Sequence, residues 1–296
     1  MRTDSRATVT DRRHGPRARP GISASAWPRF VQAVALAALL TTTGATLAQP
    51  AGMDADAIVE KANIASYYAG DDGRSEARMR IIDAQGREQR RQFTVLRRDV
   101  EQGGDQQFLV VFSQPSDVRG TTFLVHKHTS GDDDRWLYLP GLDLVKRIAA
   151  GDKRTSFVGS HYYYEDVSGR RPDEDTHELV GSADGMFELV HRPKDPSSVE
   201  FAEYTTWIDQ QTFLPMRIEY RDEAGTPIRR VEVHQVETIQ GHPTVTASRI
   251  TDLLGGGHTY LQFRYIAYDL GMPDDVFGER SLRSPAREWL ERPERR

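Results

Sequence analysis

The sequence predicts a mainly β protein with helices, built as a curved or partly closed antiparallel sheet with helical material inside it or across its mouth. Three observations predict it. One helical period comes early, about a dozen period-two segments follow, and short turns rich in Asp and Gly separate most of them. One helix against so many meandering strands is the pattern of an α+β half-barrel.

Residues 1–48 read as an export signal. Arg29 leads into the apolar run Phe30 to Leu40, too short to span a bilayer as a helix. Small residues at Thr46 and Ala48 place the expected cleavage before Gln49, leaving 49–296 as a single domain in the periplasm. The chain contains no Cys, so neither a lipidated Cys nor a disulfide is possible, and the expected product is soluble rather than membrane-anchored. The whole chain carries −5; seven Arg and two Asp give residues 1–48 a net +5, which leaves −10 on 49–296. That balance argues against nucleic acid as a partner and against general adhesion to anionic lipid.

Asp54 or Asp56 can cap a helix through Tyr68, with Ile58, Ala62, Ala65 and Tyr68 on one face. Ala69 to Gly73 ends it. Period-two strands are then expected at Glu76 to Ile82, Gln89 to Arg97, Gln107 to Ser113, Gly120 to Thr129, Arg135 to Leu139 and Asp143 to Ile148. A polar stretch from Ala149 to Arg171, with Gly and aromatic residues, breaks the rhythm. Strands resume at Thr176 to Val180, Met186 to Arg192, Glu200 to Asp209, Met216 to Asp222, Pro227 to Glu237, Thr244 to Leu253 and His258 to Tyr268. A short helical tail is expected from Pro273, and a frayed, charged end from Arg287.

Few residues suggest chemistry. His126 and His128 flank Lys127 on a strand and would share one face within reach of a metal, yet nothing completes a ligand set at recognisable spacing. Gly159-Ser160-His161 lacks the Gly-x-Ser-x-Gly of a nucleophile elbow, and adjacent strand residues point apart. Glu165-Asp166 and Asp173-Glu174-Asp175 are acidic clusters of the kind a solvated loop carries. The expectation is no enzyme, no metal and no cofactor. The aromatic group Trp136, Tyr138, Phe157, Tyr162, Tyr163, Tyr164 and Trp207 is more suggestive, because such rings can line a cavity while keeping polar tips wet. With Phe123 and Val125 on the neighbouring strand, the expected apolar cavity is Phe123, Val125, Trp136, Tyr138, Phe157, Tyr164 and Trp207.

The central block carries a resemblance. Gln114 to Leu124 (QPSDVRGTTFL), Asp132 to Pro140 (DDDRWLYLP), Lys146 to Ile148 (KRI), Ser156 to Ser160 (SFVGS) and Tyr164 to Asp166 (YED) together resemble the outer-membrane lipoprotein-sorting protein family, relatives of the LolA and LolB lipoprotein carriers. Tyr67 to Asp72 and Ile82 to Arg87 resemble it too. One departure is His161-Tyr162-Tyr163, bulkier than the small acidic stretch expected before the YED. The resemblance implies a strongly curved antiparallel sheet forming an unclosed β-barrel, plugged or lidded by helices. It also implies a cavity for acyl chains of a lipoprotein or lipid, carried toward the outer membrane, and an inner-membrane RND-type or ABC-type transporter as partner. Sensing of lipid or lipoprotein, or an accessory role on an RND-type transporter, is the alternative. Ala149 to Arg171 has the position of a lid. Lys146, Arg147 and Arg154, with Lys153, flank it as expected contacts for a head group or partner.

Overall fold

The computed structural model describes residues 53–292; the expected export signal lies outside them. A helix α1 (Ala55–Tyr67) opens the described chain. Asp54 caps it by accepting from the Ala57 amide at 2.7 Å, and its buried stripe is Ile58 and Ala62. Thirteen strands follow: β1 (Asp72–Ile82), β2 (Glu88–Asp99), β3 (Gln106–Gln114), β4 (Thr122–Lys127), β5 (Asp134–Leu139), β6 (Leu144–Arg147), β7 (Asp175–Ala183), β8 (Met186–Pro193), β9 (Glu203–Asp209), β10 (Pro215–Arg221), β11 (Pro227–Ile239), β12 (His242–Asp252) and β13 (His258–Tyr268). Between β6 and β7 lies a single helical turn α2 (Glu165–Ser168); after β13 come α3 (Arg280–Arg283) and α4 (Arg287–Leu290).

All strands join one antiparallel sheet in the order β6-β5-β4-β3-β2-β1-β13-β12-β11-β10-β9-β8-β7. Every sequence neighbour pairs with the next except β6 and β7, which form the two edges. The sheet is therefore a meander that curls toward a barrel and fails to close at one seam. The α+β half-barrel expected from the sequence is the observed architecture. Three hairpin tips share one device: Asp83, Asp222 and Asp252 each accept from backbone amides two or more residues ahead, at 2.8–3.0 Å.

Both faces of the β1–β5 half are covered. Ala77, Met79, Ile81, Phe93, Phe108, Val110, Phe112, Phe123 and Val125 point to the inner face and pack with Phe157 and Tyr164 of the β6–β7 connection. Leu96, Leu109 and Leu124 point to the outer face, where Met272, Val276, Phe277, Leu282 and Trp289 cover them. The C-terminal segment is thus part of the fold. It is not frayed at Arg287, because buried Arg74 donates to the carbonyls of Trp289 (3.1 Å) and Leu290 (2.7 Å). Asp72 accepts from the amides of Leu270 and Met272, both at 2.6 Å. Among the described residues no helix is long and apolar enough to cross a membrane.

Phe277 is fully buried under the tail. Phe277→Ala should destabilise the protein by about 3–5 kcal/mol in denaturant unfolding. A loss below about 1 kcal/mol would mean the tail is not a structural cover.

Candidate functional site

The connection from β6 to β7 must run from one sheet edge to the other, across the open side of the half-barrel. Its Ala149 to Arg171 portion is the stretch that broke the strand rhythm. Phe157 and Tyr164 anchor it among inner-face phenylalanines, with ring centroids 5.3 Å (Phe157) and 5.1 Å (Tyr164) from Phe123. A buried ionic network anchors the other half. Glu165 is 2 % exposed and meets Lys153 at 2.9 Å, Arg154 at 2.5 Å and Arg170 at 3.6 Å. Arg154 also pairs with Glu200 at 2.6 Å, and Arg170 with Asp175 at 2.8 Å. Asp166 pairs with buried Arg229 of β11, whose guanidinium lies 4.3 Å from the Tyr163 ring centroid. Burial by itself would raise the Glu165 carboxyl, but Arg154, Lys153 and Arg170 outweigh it and hold the group at about 2.

Helix α1 lies on the same inner face. Gln106 donates to the Tyr67 carbonyl at 2.8 Å, and Arg97 donates to Ala69 (2.6 Å) and Gly70 (2.7 Å), so a cation satisfies the helix C-terminus. The Tyr67 ring packs so tightly on Gly169 that a Cβ there would sit 2.3 Å from it. Lys127 donates to the Ser168 carbonyl at 2.7 Å with its ammonium 4.8 Å from the Tyr67 centroid. Burial lowers the Lys127 ammonium to about 8.

Between helix, crossing and sheet remain two adjoining hollows of ≈270 Å³ and ≈350 Å³. They share Tyr67, Tyr162, Asp166, Ile218, Val245 and Ser248 as common wall. The first has an aliphatic floor of Val231, Val245 and Ile250 under Val59 and Ala62 of α1, and a polar end at Arg170, Arg171 and His177. The second is bounded by Val95, Phe108, Leu261 and Phe263. An apolar body and a polar end suit an amphipathic ligand.

A histidine pair sits at the polar end. His177 Nε2 donates to the Pro172 carbonyl at 2.9 Å, so its Nδ1 is bare and accepts from His191 Nδ1 at 2.7 Å. His191 Nε2 then accepts from the Thr206 hydroxyl at 2.7 Å. Burial first, and His177 second, push His191 down to about 3.

The sequence-predicted site residues divide by strand parity. Phe123, Val125, Phe157 and Tyr164 face inward but fill the solid aromatic cluster beside the hollows, not their walls. Trp136 and Tyr138 face outward beneath the tail, and Arg283 lies 5.4 Å from the Tyr138 centroid. Trp207 alternates with inward Thr206 and Ile208 and instead stacks under Arg217 at 4.5 Å. Of the aromatic group, Tyr162 does line both hollows, its hydroxyl 2.9 Å from Ser248 Oγ. Arg154 is committed to Glu165 and Glu200, while Lys146 and Arg147 are exposed on edge strand β6, Arg147 pairing with Asp134. Missed from the sequence were the aliphatics of β10–β12, whose signal was plain period-two alternation. His126 faces the Phe277 carbonyl (2.8 Å), and His128 bridges Asp105 (2.9 Å) and Asp134 (3.3 Å); no group of metal-ligand type assembles among the described residues.

A meander sheet left open at one seam, with a helix and a strapped crossing over its hollow face, defines the LolA-like half-barrel class. A family model described only as "-like: Uncharacterized protein" matches residues 104–284. A DUF1329 family protein from Desulfovibrio piger is 30% identical, with TM-score 0.69, over 76% of this chain and 95% of that one. A domain from Vibrio parahaemolyticus described as outer-membrane lipoprotein-sorting is 26% identical with TM-score 0.71, over 77% and 98%. The LolA superfamily protein NE2245 from Nitrosomonas europaea, 20% identical with TM-score 0.59 over 77% and 99%, shares the fold. No curated protein matches significantly. The chain belongs to the DUF1329 family and has the LolA-like fold; the outer-membrane lipoprotein-sorting domain is what it is similar to.

Two outcomes follow from the network. Glu165→Gln removes the carboxylate shared by three cations, which keep Glu174, Glu200 and Asp175, and should cost about 1–3 kcal/mol, read by denaturant unfolding at pH 7. His191 and Glu165 both titrate below their ordinary values on folding. Their contributions are complete above about 6.5 and 4.5 and are lost as pH falls toward 3 and 2 respectively. Melting temperature should therefore fall between pH 6.5 and 4.5, and His191→Phe should flatten that slope. An unchanged slope in a folded variant would exclude His191 as its source.

Proposed function

We propose that this protein is a periplasmic carrier that takes acyl chains of a lipoprotein or lipid into the inner-face hollows for transfer toward the outer membrane. The observation that carries the reading is the pair of hollows roofed by α1 and the strapped crossing, aliphatic along the floor and polar at one end. Family membership supports it, as does the description of the Vibrio relative as lipoprotein-sorting. Sequestration works at about 0.8 kcal/mol per buried CH₂, so each hollow gains most from a flexible chain that reaches into the next. Individually they lie near the lower end of the usual ~300–1,000 Å³ for ligand sites. A chain passing from one to the other must go by Tyr67 and Tyr162, which makes these rings the gate. No covalent step or cofactor is needed, and an inner-membrane transporter of RND or ABC type would supply the cargo.

The primary test is mass spectrometry of an organic extract from the exported protein, purified without detergent. A recurrent, near-stoichiometric lipid or acylated peptide is the expected result. A ligand-free protein that also ignores added lipid and apolar dyes would overturn the reading and favour an accessory subunit that binds no lipid. Val245→Trp fills the shared wall and should weaken apolar-probe binding about tenfold or more, a loss of at least ~1.4 kcal/mol. Trp136→Phe, on the outer face, should leave probe binding unchanged.

A further inference from the structure

The two inner-face hollows meet at a polar waist. Of the residues they share, Ser66, Tyr67, Tyr162, Asp166 and Ser248 carry polar atoms, while the aliphatic and aromatic walls lie to either side. A plain hydrocarbon chain threading both hollows would lay methylenes against those groups. That mismatch makes the waist informative about what passes through it.

The hydrogen bonds of the waist do not close. The Tyr162 hydroxyl on the crossing and Ser248 Oγ on β12 stand 2.9 Å apart. One donates to the other, so the second keeps an O–H to give away, and neither has a further partner among the described residues. Tyr67 accepts from Arg97 and Gln106 through its carbonyl, but its hydroxyl has no hydrogen-bond partner among the described residues. Burial raises the Tyr67 and Tyr162 phenols above their ordinary value, so both stay O–H donors at neutral pH. Asp166 does not take the spare protons: Arg229 and the Tyr163 amide (2.7 Å) engage its carboxylate. Other hydroxyls of the walls are spoken for. Tyr204 donates to Asp175 at 2.8 Å, and Tyr268 meets Thr244 at 2.9 Å, which donates on to the His242 carbonyl at 3.0 Å.

We propose that this waist selects an acyl chain carrying an oxygen between two apolar stretches, a mid-chain ester or hydroxyl, and that Tyr67, Tyr162 and Ser248 read that oxygen. The inference rests on the carrier reading and narrows its cargo. An ester carbonyl has two lone pairs and can accept both spare O–H groups; a hydroxyl oxygen accepts likewise and can return its own proton to a neighbouring hydroxyl. Water satisfies such donors in an empty hollow, and a methylene that displaces it leaves them unpaired. A site built to hydrogen-bond an oxygen thereby rejects the analogue that lacks it. The apolar stretches on either side of the oxygen occupy one hollow each.

The test uses the exported protein, purified without detergent, and three carboxylic acids of equal length competing with an apolar dye. They are stearate, a hydroxystearate with its hydroxyl in mid-chain, and an acid interrupted in mid-chain by an ester. At least one oxygenated acid should bind about tenfold more tightly than stearate. Preference for the hydroxy acid assigns a hydroxyl to the cargo; preference for the interrupted acid assigns an ester. Tyr67→Phe, Tyr162→Phe and Ser248→Ala together should erase the preference and leave stearate bound at least as tightly, since no donor then loses its water. Tyr138→Phe, on the outer face, should keep the preference. A variant that merely loosened the fold would weaken all three acids together. Equal binding of the three acids, or a preference unaltered in the folded triple variant, would overturn the inference and leave the carrier reading standing. Binding of none of them would overturn the carrier reading, and this inference with it.

Discussion

The seam between β6 and β7 governs the rest of the molecule. All other strand connections pair with their neighbours, so the sheet would close as an up-and-down barrel if those two edges met. A closed barrel of this kind has no edges and no side entrance. Here the β6–β7 connection occupies the gap, and the hollow face gains a cover that is part of the chain. The cover is held by charge on one side and by aromatic packing on the other. Glu165 and Asp166 reach the β9–β11 side through Arg154 and Arg229; Phe157 and Tyr164 pack on the β2–β4 side. The two attachments differ in kind, and that difference decides which side can let go.

Apolar contact between aromatic rings weakens gradually with small shifts. A buried ion pair is less tolerant: its Coulomb gain offsets desolvation only at close, hydrogen-bonded geometry. Glu165 serves three cations at once, so a displacement that breaks one contact weakens all three. The charged side of the cover therefore depends on close geometry more sharply than the aromatic side does. The hollow with the polar end lies beneath this side, next to Arg170, Arg171 and the His177–His191 pair. Entry from there would separate the crossing from β7 and β8 without disturbing the aromatic cluster. The Tyr67–Gly169 contact then limits how far the turn α2 can rise before α1 must move with it.

Much of the fold was legible because hairpins announce themselves twice, in period-two strands and in Asp- and Gly-bearing tips. The one connection that read as irregular, Ala149 to Arg171, is the seam. The site was less legible. Along β3 the residues Phe108, Leu109, Val110, Val111 and Phe112 are all buried, since both faces of that strand are covered. Alternation there cannot say which side faces a cavity. Large aromatics drew attention to Phe123, Trp136 and Trp207, but Phe123 fills the solid inner cluster and the two tryptophans face outward. The hollows are lined by both small and large side chains, Val231, Val245 and Ser248 beside Tyr67 and Tyr162. Charge was misleading too: Glu165-Asp166 reads as a solvated loop although Arg154 and Arg170 lie in the same connection, and the partner of Asp166, Arg229, is 63 residues away in sequence.

The C-terminal tail completes the division of labour between faces. Covering Leu96, Leu109 and Leu124 from outside lets the β1–β5 half be stable without help from whatever occupies the inner face. A carrier needs that independence, because a fold stabilised by its cargo would bind too tightly to release it. The β8–β12 half has no such tail, and there the inner face is left partly unfilled. The stiff half holds the crossing by its aromatic end; the hollow half holds it by charge. Under the proposed function, an acyl chain entering the hollow half would add the apolar contacts that this half lacks, and its departure would leave the other half unchanged.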